Sequence, residues 1–143
     1  MLWRKLLPPT AFLLSQFVYP AVAQQPDIEK APIQYTSPSS GKDMFMSYCA
    51  VCHGKDAKGD GPAAVTLKVA PANLTTLTKR NHGKFPSAHV STTILGDAAM
   101  PAHGSREMPL WGPLFRSLEP NGDLIVRQRI ASLTEYIKSL QEK

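Results

Sequence analysis

One five-residue segment, Cys49-Ala50-Val51-Cys52-His53, constrains this chain more than any other feature. Cys-x-x-Cys-His is the attachment sequence of c-type haem, in which each thiol adds to one vinyl group and the adjacent imidazole binds the iron. A chain with this motif has to fold around a large, flat, mostly apolar group. The motif therefore predicts one covalently attached haem c, held by Cys49 and Cys52, with His53 as the first axial ligand.

Two other uses of paired cysteines fit the sequence less well. A structural zinc site needs a second pair of ligands, but Cys49 and Cys52 are the only cysteines and no His-x3-His spacing follows them. A thioredoxin-like dithiol site needs a surrounding alternation of strands and helices, which the sequence does not show.

The N-terminal residues resemble a secretory signal peptide. Arg4 and Lys5 precede an apolar stretch over residues 6–22, and the small residues Ala-Val-Ala at 21–23 form a cleavage site. We therefore expect a signal peptide over residues 1–23 and export to the periplasm. This compartment agrees with the cofactor, because covalent haem attachment in bacteria takes place outside the cytoplasmic membrane.

An uncleaved membrane anchor is the alternative for the same segment, since no charged residue occurs from position 6 to position 26. Three prolines argue against it, because they would interrupt a spanning helix: Pro8, Pro9 and Pro20. We expect contact with a membrane only if this segment stays uncleaved.

The remaining 120 residues suffice for one domain. Residues 24–40 are rich in Pro, Gln and Ser without an apolar period, which predicts a flexible leader before a folded domain over residues 41–143. Without Arg4 and Lys5, the 16 basic residues fall to 14 against 11 acidic residues, a net charge of +3. This mild excess favours acidic protein partners, and no nucleic-acid-binding motif accompanies it.

Apolar spacing and capping residues predict an all-α domain. A first helix begins near Gly41, capped by Ser40, and runs into the cysteine motif. A second helix is expected from a cap at Ser87 to Leu95, and an amphipathic last helix over 123–141. Between them we expect a glycine-rich loop over 54–62, a helical turn over 63–68, an irregular stretch over 71–84 and a long loop over 97–122.

Three residues carry a family resemblance. Gly41 lies eight residues before Cys49, Phe45 lies four before it, and Tyr136 lies in the last helix. This arrangement resembles class I (mitochondrial-type) cytochromes c over residues 41–143. The resemblance implies that the first and last helices cross, with the glycine allowing close approach and the two aromatic rings packing at the crossing. Residues 103–112 are similar to a segment of a bacterial subgroup of periplasmic single-haem cytochromes.

The resemblance also implies a second axial ligand, usually a methionine thioether. Met108 is preferred over Met100, because it lies closer to the last helix and is followed by Trp111, which we expect to wall the haem pocket. Less favoured ligands are histidines: His82, His89 and His103. In the family a proline carbonyl accepts a hydrogen bond from the proximal histidine, and Pro62 matches this residue best.

An iron with both axial positions filled by protein has no position left for a substrate, so its chemistry is reversible one-electron transfer. We therefore expect a monomeric periplasmic electron carrier and not an enzyme. Two alternatives remain: a fixed subunit of a larger dehydrogenase or oxidase, and a ligand-binding or catalytic haem protein. Family members carry a rim of basic residues around the haem edge, and the candidates here are Lys42, Lys55, Lys58, Lys79, Lys84 and Arg106.

Overall fold

The computed structural model describes residues 33–96, 108–119 and 122–143, and every regular element in these ranges is helical. The α-helices are α1 (Gly41–Met44), α2 (Ala50–His53), α3 (Leu77–Arg80), α4 (Ser87–Leu95), α5 (Trp111–Leu118) and α6 (Asp123–Ser139). A π-helical turn, Phe45–Cys49, joins α1 to α2, and a short 3-10 helix spans Ala64–Thr66. No strand occurs in these ranges, which confirms the all-α prediction.

The helical run over residues 41–53 delivers the cysteine motif. The hydroxyl of Ser40 accepts a hydrogen bond from the backbone N–H of Asp43 at 3.2 Å, so the predicted N-cap is confirmed. Phe45 is fully buried. In the π turn, the N–H of Ala50 bonds to the carbonyl of Phe45, five residues back, and the run then returns to α-helical spacing.

The first helix packs against α6 at Gly41. A Cβ atom on Gly41 would overlap the carbonyl oxygen of Ser132 and would lie 2.8 Å from Cβ of Tyr136. One helical turn later, the rings of Phe45 and Tyr136 pack with their centroids 5.4 Å apart. The predicted roles of Gly41, Phe45 and Tyr136 are therefore confirmed. This helix pair, with Leu133 and Ile137 buried along it, forms one side of the core.

Helix α4 covers the adjacent side of α6. Val90 and Ile94 are buried, and the hydroxyls of Ser91 and Thr134 lie 3.0 Å apart across the two helices. The helix ends at Gly96, as predicted. Ser87 is its first residue and not its cap: the carbonyl of Pro86 accepts the first helical bond, from the N–H of Val90.

Two segments expected to be irregular contain helices. Helix α5 lies within the predicted loop 97–122; Pro113 is its third residue, where the backbone needs no N–H donor, so the proline does not break it. Helix α3 lies within the stretch 71–84. Its Thr78 N–H donates to the side-chain oxygen of Gln141 at 2.8 Å, a cap supplied from the other end of the chain.

The described end of the predicted leader, residues 33–40, is part of the folded domain. The hydroxyl of Tyr48 donates to the carbonyl of Gln34 at 2.5 Å, and Arg129 donates to the carbonyl of Thr36 at 2.8 Å. The expectation of a flexible leader is thus wrong for this part, because buried polar groups of the domain need its carbonyls as partners. The predicted signal segment lies outside the described residues. Within the described ranges, no helix has the length and apolar character needed to cross a membrane.

Candidate functional site

A cavity of about 360 Å³ opens beside the cysteine motif. Cys49, Cys52 and His53 line one side of it, and Met108 and Trp111 also contribute to its wall. Apolar side chains from four other parts of the fold complete much of the lining: Leu67, Val69, Leu74, Leu77, Val90, Ile94 and Ile137. The predicted thiols, the proximal imidazole and the preferred distal thioether therefore share one mostly apolar cavity.

The two thiols are not joined by a disulfide bond. Removal from water raises the pKa of the Cys49 thiol to about 12, and the nearby Cys52 adds to the rise. A redox-active dithiol depends on the opposite shift, since the thiolate is the nucleophile. No group of three or more His, Cys, Asp or Glu side chains able to hold a metal ion occurs in the part of the chain that the structure describes. The described residues thus support neither a redox-active dithiol nor a structural zinc site.

A backbone carbonyl orients His53. Its Nδ1 lies 3.1 Å from the carbonyl oxygen of Ala72. Because a carbonyl can only accept, Nδ1 carries the proton, and Nε2 presents the lone pair that can bind iron. Metal-bound histidines are commonly held in this way by a backbone carbonyl.

The acceptor is thus Ala72, and the prediction of Pro62 is wrong. The loop after His53 folds back onto the motif: Gly61 N–H donates to the carbonyl of Cys52 at 3.0 Å. A Cβ atom on Gly61 would lie 2.5 Å from the carbonyl oxygen of Val51, so only glycine permits this approach. Pro62 follows directly and does not line the cavity.

The C-terminus of the chain fixes the segment that carries Ala72. The side-chain amide of Gln141 donates to the carbonyl of Leu74 at 2.7 Å, and the N–H of Glu142 donates to the carbonyl of Thr75 at 2.9 Å. The N–H of Leu74 also donates to the carbonyl of Ala57 at 2.8 Å. Ala72 is therefore held between the loop after His53 and the end of the last helix.

Trp111 forms a buried part of the cavity wall, which Met108 also lines. Its ring stacks on that of Tyr48, with centroids 5.1 Å apart, and packs against Phe115 at 5.6 Å. Met108 is partly buried and packs against the core. Three candidates from the sequence lie outside the described residues. Two are candidates for the distal ligand and the third for the basic rim: Met100, His103 and Arg106.

A family model provides the comparison that identifies the chain. The Cytochrome c model matches residues 38–141. This chain belongs to the cytochrome c family. The match confirms the resemblance to class I c-type cytochromes and indicates a haem-based role in electron transfer. Comparison with curated proteins gave no match, and comparison with solved structures gave none either.

The residues of this cytochrome fit the haem c that its family binds. The two cysteines have the attachment spacing, and they line the same cavity as His53. The cavity wall is mostly aliphatic and aromatic, as a macrocycle requires. The carbonyl of Ala72 sets the tautomer of His53 that leaves Nε2 for iron. Bound haem c supplies reversible one-electron transfer between ferric and ferrous iron.

The cytochrome cavity also includes residues that sequence reasoning missed or ranked low. Ala72 acts through its backbone, so no side-chain pattern could have marked it. Arg80 lines the cavity and donates to the carbonyl of Asn73 at 2.6 Å, yet it looks like any basic residue of a polar stretch. His89 lines the cavity from α4, whereas His82 is exposed and does not.

Proposed function

We propose that this cytochrome c is an exported, monomeric, single-haem electron carrier whose iron is bound by His53 and Met108. One observation carries the proposal: the His53 imidazole and the Met108 side chain line the same cavity. With both axial positions filled, no position remains for a substrate, so the protein would pass electrons between redox proteins and would not act as an enzyme. Residues 1–23 would direct it to the periplasm.

The residues around the cavity would serve this role by excluding water and limiting movement. Val90 and Ile94 are buried on α4, and Trp111 is buried on α5. Because the carbonyl of Ala72 holds His53 Nδ1, the imidazole keeps one orientation in both redox states. A site that holds its ligand in one orientation changes little between the oxidised and reduced forms, which favours rapid electron transfer.

Replacing Met108 with alanine should abolish the weak near-infrared sulfur-to-iron band of the ferric protein. It should also lower the midpoint potential, since methionine ligation raises the potential. The same change at Met100 should leave the band and the potential as in the wild type. Absorption spectra and a redox titration of the two variants measure these effects.

The reverse result would assign the ligand to Met100. A band that survives both substitutions would contradict methionine ligation at either position. If the wild-type protein lacks the band, a histidine becomes the candidate for the distal iron ligand. Among the described residues His89 is then the first candidate, because it lines the cavity.

Exposed basic residues near the motif support an acidic partner. Lys55 and Lys58 are exposed, and they follow His53 by two and five residues. We expect that changing both to glutamate slows association with an acidic redox partner about tenfold or more at low salt, because steering depends on surface charge. The wild-type rate should fall as salt rises. Stopped-flow mixing over a salt series measures both rates.

Haem content and midpoint potential should stay unchanged in the Lys55/Lys58 variant. An effect on the association rate can then be distinguished from an effect on the haem site. Changing Arg127 and Lys138, two exposed basic residues of α6 that do not line the cavity, to glutamate provides a control with the same formal change in charge. An association rate that responds to neither salt nor the double substitution would argue for a permanent place in a larger complex, where the cytochrome relays electrons without diffusing.

A further inference from the structure

Arg129 is a buried cation in the middle of the last helix. Its side chain is 0% exposed, although arginine rarely occupies the interior of a protein without strong partners. Its Nη1 donates to the carbonyl of Thr36 at 2.8 Å, and its Nη2 lies 3.5 Å from a carboxylate oxygen of Glu119. Its Nε has no hydrogen-bond partner among the described residues. A buried charge with an unpaired donor lowers the stability of the fold, so we looked for a role that Arg129 performs in this position.

A directed chain of hydrogen bonds leads from Arg129 to the haem cavity. Nη1 of Arg129 also lies 3.4 Å from the hydroxyl of Thr36, which is 2.8 Å from the hydroxyl of Tyr48. The hydroxyl of Tyr48 gives its one proton to the carbonyl of Gln34. Thr36 must therefore donate to Tyr48 and accept from Arg129. The ring of Tyr48 lines the cavity and stacks on Trp111.

A second route runs from Arg129 through α5. The guanidinium lies 5.6 Å from the centre of the Phe115 ring and contacts Glu119, the residue that caps the end of α5. Trp111 is the first residue of that helix, three positions after Met108. Both routes from Arg129 thus end at the same part of the cavity wall, the Tyr48–Trp111 stack, and Met108 lines the same cavity.

We infer that Arg129 is a positioning residue for the distal side of the haem site. It fixes the Tyr48–Trp111 stack through Thr36 on one side and through α5 on the other, and so holds Met108 in place. The residues that connect Arg129 to Tyr48, from Gln34 to Thr36, precede the stretch matched by the family model. Part of the support for the distal wall therefore comes from a segment outside the family domain. The inference rests on the proposed ligation by Met108.

Exchange of Arg129 for methionine separates positioning from folding. An apolar side chain of similar length fills the space without a buried charge, and such replacements are often tolerated. We expect the ferric Arg129→Met protein to bind added imidazole with a dissociation constant about tenfold lower than wild type, because a loosened Met108 is displaced more easily. Its near-infrared sulfur-to-iron band should weaken, and its midpoint potential should fall. Imidazole titration and redox titration measure these changes.

Arg127→Met is the matched control, since Arg127 is an exposed arginine on the same helix and should behave as wild type. Thr36→Val removes one hydroxyl and should shift imidazole binding in the same direction even if Arg129→Met fails to fold. Variants that retain haem but match the Arg127 control in imidazole binding and midpoint potential would overturn the inference. Loss of the band in Met108→Ala tests the ligation by Met108 separately, because it does not depend on any Arg129 variant.

Discussion

Replacing both Cys49 and Cys52 with serine should leave the exported protein without any haem that survives denaturation. These two thiols are the only ones in the chain, and both line the cavity, so no other side chain can form a thioether. The wild-type protein, denatured and weighed by mass spectrometry, should have the mass of the mature polypeptide plus one haem. The double variant should have the mass of the polypeptide alone. Each single variant should retain at most one thioether bond.

The matched control for this experiment is Val51→Ser. Val51 lies between the two cysteines and is about half exposed, so serine there changes the motif without removing a thiol or a core contact. It should carry haem as the wild type does. A wild-type protein that is exported in cells with a working haem-attachment system and still lacks haem would contradict both the motif assignment and the cavity assignment.

Gly41→Ala should destabilise the protein strongly, although alanine is intrinsically the better helix former by about 1 kcal/mol. The added Cβ atom would overlap the backbone carbonyl oxygen of Ser132, which cannot rotate away as a side chain can. Overpacking of this kind costs about 1–3 kcal/mol, and a rigid backbone neighbour favours the upper end. Denaturant unfolding of the haem-loaded protein, followed by circular dichroism, measures the free energy of unfolding.

Lys42→Ala is the control for the glycine substitution. Lys42 is the next residue of the same helix and is exposed, so its loss should change the free energy of unfolding by less than about 0.5 kcal/mol. Equal stability of the Gly41 and Lys42 variants would mean that the two helices can separate at little cost. The close contact between α1 and α6 would then not be a requirement of the fold.

The features that could be predicted from the sequence are those set by local rules. The helix cap at Ser40 and the stop at Gly96 follow from local backbone chemistry. The buried face of α6 follows from apolar residues at helical spacing, and Leu133 and Ile137 lie on it as expected. The cysteine motif could also be predicted from local sequence, because its three bonding groups lie within five residues.

The features that could not be predicted depend on contacts between distant parts of the chain. Helix α3 receives its cap from Gln141, sixty-three residues away along the chain. The carbonyl of Ala72 reaches His53 because the C-terminal residues hold its segment in place. Every residue has a backbone carbonyl, so the residue type does not indicate which one accepts this bond. The burial of Arg129 could not be predicted either. In the sequence it is one more charged residue on an amphipathic helix, and only the folded chain shows that it is buried.

The π turn before Cys49 has a consequence for how insertions and deletions act in this part of the gene. In a regular α-helix successive side chains are separated by about 100° around the axis, so Phe45 and Cys49 would lie on nearly the same face. The wider turn accommodates Phe45 against Tyr136 while Cys49 borders the cavity. Loss of one codon between these two residues would close the π turn to an α turn and rotate the motif little, because the π turn holds one extra residue. Gain of one codon there would preserve the Cys-x-x-Cys-His letters and still rotate them about a quarter of a turn from the cavity. An intact motif in a DNA sequence is therefore not enough to infer a working site, since its register with the preceding aromatic residue matters as well.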